Sequence, residues 1–125
     1  MSINKKVNKP RPTEIKLHQK SAVLEVHFSD GYECNLTCEY LRVNSPSAEV
    51  QGHSPGQEVL QYGKQGVNIS EMTPQGNYAL KLHFDDGHDT GLFTWEYLYA
   101  LGKEYETNWQ DYLSRLEAAG KSRES

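Results

Sequence analysis

The chain carries one short pattern twice. Residues 24–36 read LEVHFSDGYECNL and residues 80–92 read LKLHFDDGHDTGL. Leu24, His27, Phe28, Asp30, Gly31 and Leu36 recur as Leu80, His83, Phe84, Asp86, Gly87 and Leu92, and each copy runs on into a Glu-Tyr-Leu. Within 125 residues such a repeat is architecture before it is chemistry, because both copies must fold alike and bury their apolar faces.

Alternation gives each copy its local structure. Leu24, Val26 and Phe28 alternate with Glu25 and His27, so one side of the segment is apolar, and Tyr32, Cys34 and Leu36 alternate on the return. Between them Ser29-Asp30-Gly31 is a three-residue hairpin loop that ends in glycine, the residue best suited to positive φ. The predicted hairpins span 23–36 and 79–92. Phe28 then faces Tyr32, Val26 faces Cys34 and Leu24 faces Leu36. In the second copy Phe84 should face His88, Leu82 Thr90 and Leu80 Leu92, which puts His88 on the apolar side, where the first copy has Tyr32. His27 and His83 point the other way.

After each hairpin the pattern turns helical. Thr37 caps a short turn through Glu39, Tyr40 and Leu41, and Thr94 caps a helix from Trp95 to Leu101, with Gly102 as the stop. A last helix carries Tyr105, Trp109, Tyr112, Leu113 and Leu116 at helical spacing and ends at Gly120. Further strands are expected at 13–18 and 66–72, the latter followed by a turn over Thr73-Pro74-Gln75-Gly76 and an approach at 77–79. The fold class is α+β: a small, mainly antiparallel sheet built on two hairpins, with short helices and a C-terminal helix packed on it. Residues 1–12 read as a disordered tail, 13–120 as a single domain and 121–125 as a second tail. Residues 45–57 are the longest stretch without periodicity, and a loop of that length in a compact domain is functional or mobile.

A net charge of -4 and a pI near 5.7 argue against a nucleic-acid or anionic-membrane surface, since both require a dense positive field. The one basic cluster, Lys5, Lys6, Lys9 and Arg11, lies in the N-terminal tail. No apolar run is long enough for a signal peptide or a membrane span, so the expected location is cytoplasmic and Cys34 and Cys38 should be thiols.

Candidate chemistry is sparse. His83-Phe84-Asp85 begins a two-His, one-carboxylate iron triad, but the chain has too few strands for the barrel that supplies the distal His. Asp85, Asp86 and Asp89 bracket a turn that needs such residues anyway. A reactive thiol wants an electropositive neighbourhood, and Cys38 is followed by Glu39. Cys34, Cys38, His53 and His88 are of types that a zinc ion accepts, although their spacing does not demand one. No constellation supports an enzyme and none asks for a cofactor.

Residues 40–53, YLRVNSPSAEVQGH, and 86–98, DGHDTGLFTWEYL, resemble the gamma-butyrobetaine-hydroxylase-like N-terminal domain family, over roughly residues 11–120. The resemblance implies an α+β module found alone as small bacterial proteins of unknown function, ahead of 2-oxoglutarate oxygenase domains, or fused to P-loop iron-sulfur carrier ATPases. In the oxygenase branch it implies a zinc site from three cysteines of a W-L-R-D-N-C-x-C-x-x-C run and the His of D-G-H. Here those cysteine positions are Ser45, Ser47 and Val50, and only His88 keeps a ligand type. The expectation is therefore a non-catalytic binding module. It would act on a protein partner, an iron-sulfur carrier or an oxygenase by analogy, through a surface of Arg42, Glu49, Gln51, His53 and His88. The alternative is a zinc-binding structural module using His88, Cys34, Cys38 and His53.

Overall fold

The computed structural model describes residues 9–54 and 56–124, so residues 1–8 of the expected tail and Pro55 of the long loop lie outside the described residues. The elements are β1 (Pro12–His18), β2 (Val23–Phe28), β3 (Glu33–Thr37), α1 (Cys38–Val43), α2 (Ala48–Gln51), β4 (Ile69–Gln75), β5 (Ala79–Phe84), β6 (Leu92–Thr94), α3 (Trp95–Lys103) and α4 (Tyr105–Ala119). The fold is α+β, and its strands form two antiparallel sheets, β1-β2-β3 and β4-β5-β6. The repeating unit is thus three strands and a helix, larger than the hairpin. Even the irregularities recur, for β1 bulges between Pro12 and Glu14 and β4 between Ile69 and Glu71.

The first hairpin has the expected register, with Val26 opposite Cys34 and Leu24 opposite Leu36. The second matches it at the turn, where Phe84 N–H donates to the His88 carbonyl as Phe28 N–H does to that of Tyr32. Beyond the turn it slips by one residue. Leu80 pairs with Phe93, not Leu92, so Phe93 is buried at 0% exposure and Leu92 faces out at 37%. Residues 85–91 include one more residue than the first copy has at this place, and a one-residue shift exchanges the faces of a strand.

Thr37 and Thr94 cap α1 and α3, their hydroxyl oxygens accepting from the backbone N–H of Tyr40 and Tyr97. Gly102 does not stop α3, which runs to Lys103. It serves close packing instead, since a Cβ there would lie 2.8 Å from Cys34 Sγ and 2.9 Å from Tyr32 Oη. The expected turn at 73–76 also moves: Thr73 and Pro74 belong to β4, and the strand begins at Ile69. Proline is admissible there because β4 is an edge strand.

One core draws on both units, with Leu24, Val26 and Phe28 from the first and Leu80, Leu82 and Phe84 from the second all buried. The aromatic stripe of α4 lies inward, as Tyr112 and Leu116 pack with Val43 in a second cluster beside Trp109. The chain after α4 is not a free tail. Gly120 takes the left-handed conformation and turns residues 121–124 back along the body, where Gly63 and Gln65 N–H donate to the carbonyls of Ser122 and Arg123. Arg123 then forms a two-pronged pair with the buried Glu39, at 2.8 and 2.9 Å.

Candidate functional site

His88 leaves the second hairpin turn on the apolar side and meets the segment that follows α1. Its Nδ1 lies 3.0 Å from Glu49 Oε1, and its Nε2 lies 2.8 Å from Ser45 Oγ and 3.3 Å from Ser47 Oγ. Burial, then the charge of Arg42, holds its pKa below the ordinary 6.5 against the opposite pull of Glu49 and Asp86. The ring is therefore neutral near pH 7. A proton on Nδ1 suits the Glu49 carboxylate and leaves Nε2 to accept from Ser45.

Arg42 is the second post of this junction. Its Nε donates to Asp86 Oδ2 at 2.9 Å and its Nη1 to Gln61 Oε1 at 3.1 Å, while Lys64 Nζ reaches the same Asp86 oxygen at 2.6 Å. Burial opposes ionisation of Asp86, but the bonds from Lys64 and Arg42 outweigh it and keep the carboxyl below its ordinary range. Gln51 Nε2 donates to the Ser45 carbonyl and Thr90 Oγ1 to Glu49.

Of the expected binding residues, Arg42, Glu49, Gln51 and His88 come together, and His53 remains on the exposed loop. The expectation of a polar surface patch needs correction. Ser45, Ser47, Arg42 and His88 are buried, and among the described residues no buried side-chain polar atom lacks a partner. A loop laid over the apolar side of a hairpin must satisfy whatever polar groups it covers. Part of that loop is the short helix α2, with Val50 buried beneath it.

Ser45, His88 and Glu49 have the connectivity of a hydrolytic relay. The geometry denies it a substrate. Ser45 has 0% exposure, and a Cβ on Gly91 would stand 2.3 Å from Ser45 Oγ, so no carbonyl group can approach the hydroxyl. The set acts as a clasp. The alternative zinc ligands do not assemble either: Cys34 packs by Gly102, Cys38 Sγ points to Asn68, and among the described residues no three His, Cys, Asp or Glu are placed to hold a metal. His83 faces Thr73 and Asp89 on the outer side of its sheet.

The first unit explains the clasp. There Asp30 Oδ2 accepts from Tyr99 Oη at 2.7 Å, and Tyr32 abuts Gly102. Asp30 and Tyr32 correspond to Asp86 and His88, and Tyr99 and Gly102 to Arg42 and Ser45. Both junctions dock a helix on the hairpin turn of the other unit. What the second junction adds is the segment between Val43 and Ile69, absent after α3, where α4 follows at once. That segment walls a cavity of about 210 Å³ against α3 and α4. Asn44, Gln51, Tyr97 and Asn108 line it, a meeting that no periodic pattern in the chain signals.

Among curated proteins none matches the sequence. Two solved structures determined by NMR are similar, at 51% and 50% identity, each with a TM-score of 0.80; the matches cover 93% and 98% of this chain and 92% and 90% of those chains. A crystal structure from Acidithiobacillus ferrooxidans, of a protein of unknown function in the DUF971 family, is 41% identical with a TM-score of 0.57, over 74% of this chain and 92% of that one. The family model described as gamma-butyrobetaine hydroxylase-like, N-terminal, matches residues 15–99. With its duplicated units, its inward-turned His88 and this match, the chain belongs to the gamma-butyrobetaine hydroxylase-like N-terminal family.

Proposed function

We propose that the protein is a non-catalytic binding module that engages a protein partner through the segment between α1 and β4. One observation carries this reading. The segment is the asymmetric addition to a duplicated fold, clasped from beneath by His88 and Arg42, yet it leaves Val59 and Tyr62 exposed at 53% and 52%. A clasped loop that presents apolar side chains is preorganised for docking, since little further ordering is needed on binding. By analogy with the fused settings of the family, the partner is an iron-sulfur carrier or a 2-oxoglutarate oxygenase.

Affinity purification from the native host with quantitative mass spectrometry, run on wild type and on Val59→Asp, tests the proposal. The expected result is an iron-sulfur carrier or oxygenase captured by wild type and lost from the variant at an unchanged thermal midpoint. Equal capture by both proteins would remove this face from consideration.

A further inference from the structure

We propose that the cavity between the added segment and the α3–α4 pair binds a cation that carries N–H groups, a primary ammonium or a guanidinium. The proposal rests on the reading of this face as the binding face and names the chemistry recognised there.

The argument begins with which way the amides point. Asn44 Nδ2 donates to the Tyr40 carbonyl at 2.9 Å and Gln51 Nε2 to the Ser45 carbonyl at 3.0 Å. Asn108 Nδ2 donates at 3.0 Å to Tyr40 Oη, which itself donates to the Leu101 carbonyl at 2.7 Å and so must accept from Asn108. None of the three amides can be flipped without setting acceptor against acceptor. Their nitrogen ends face the protein, and among the described residues nothing donates to their oxygen ends. The hydroxyls of Tyr97 and Tyr112 likewise donate inward, to the carbonyls of Asn44 and Gln61.

The remaining lining groups have the same polarity. Glu58 and Glu104 are exposed carboxylates on the cavity, and its one guanidinium, Arg115, is bonded to Asp111 at 3.1 Å. The cavity is therefore rich in acceptors and negative in sign. A volume of about 210 Å³ holds far more than one water and suits a group of several heavy atoms. A primary ammonium or guanidinium answers the amide oxygens with N–H donors and the carboxylates with charge. A quaternary ammonium supplies only the charge.

The test is a titration of the ¹⁵N-labelled full chain, followed by NMR, with agmatine, with an acetyl-Gly-Arg-Gly-amide peptide and with choline. Agmatine or the peptide should give saturable shifts at the side-chain amides of Asn44, Gln51 and Asn108, while choline gives none. The exposed double variant Glu58→Gln/Glu104→Gln should weaken binding at least about tenfold, the loss of a charge-assisted bond. Tighter binding of agmatine would assign the cavity to a free amine, and tighter binding of the peptide to a partner's arginine. The absence of saturable shifts with either N–H cation, an equal response to choline, or an undiminished double variant would overturn the proposal. No partner is needed for the readout. If the cations fail while capture depends on Val59, only this inference falls; if they bind while capture ignores Val59, only the partner reading falls.

Discussion

Tyr40 and Tyr97 are bonded in exchange: Tyr40 Oη donates to the Leu101 carbonyl at the end of α3, and Tyr97 Oη donates to the Asn44 carbonyl that closes α1. The two tyrosines hold corresponding positions in the repeated units, and so do the two carbonyls. Each helix therefore finds a hydrogen-bond acceptor on the other. Tyr97→Phe should cost about 0.5–1.5 kcal/mol and Tyr40→Phe more, because the Asn108 amide also loses its acceptor. Urea unfolding of the two variants checks the order, and a larger loss at Tyr97 would contradict it.

The two phenylalanines of the repeated pattern, Phe28 and Phe84, are equally buried at 3% exposure. Truncation of either to Ala should cost about 3–5 kcal/mol, transfer and cavity terms together. Calorimetry that finds either loss below about 1 kcal/mol would place that ring outside the core.

The strap after α4 should stabilise the fold through Arg123. Its partner Glu39 has a side chain only 6% exposed, whereas that of Arg123 is 37% exposed and screened by water. Arg123→Ala leaves a buried carboxylate without its cation and should cost about 1–3 kcal/mol. Recovery of stability in Arg123→Ala/Glu39→Gln, measured by denaturant midpoint, would identify that stranded charge as the cause.

Two histidines should titrate on opposite sides of 6.5. Burial lowers the pKa of His88, while the hydrogen bond that His27 donates to the Glu25 carboxylate raises that of His27. For His88 the unfolded state binds the proton more readily, so its contribution to stability is present above 6.5 and is lost as pH falls below it. For His27 the sign is reversed, and its contribution fades as pH rises through its folded value. Proton NMR titration of the ring signals measures both directions. If His88 titrated above His27, the clasp as described would be wrong.

Elemental analysis of the purified protein should find no stoichiometric zinc, because Ser45, Ser47 and Val50 stand where the resemblance places three cysteine ligands. One zinc per chain, lost in His88→Ala, would bring back the structural metal site. Arg42→Ala should lower the thermal midpoint, since among the described residues it leaves Lys64 as the one cation on Asp86.

What the sequence disclosed was local. The first hairpin register, the threonine caps and the Gly120 stop each depend on neighbours a few residues away. The slip of the second hairpin was also written there: the interval from Gly87 to Thr94 is one residue longer than that from Gly31 to Thr37. Hidden were the relations across the chain. Arg42 with Asp86 and Arg123 with Glu39 join residues whose flanking sequences carry no shared signal. β1 and β4 share a bulge but almost no residues, so the full size of the repeated unit could not be read. The cavity is assembled from segments around α1, α2, residues 58–61, α3 and α4, and no single periodicity spans them.

The crossed tyrosines also bear on the order in which this chain can acquire structure. As synthesis proceeds, β1 to α1 emerge well before α3, so Tyr40 has no acceptor and the inner face of the first sheet no cover until the second unit follows. Contacts of such sequence separation form late and fold slowly, because a long loop must close before they contribute. A stall between the two units would therefore expose Leu24, Val26 and Phe28 together on the uncovered inner face of β2, the central strand of the first sheet.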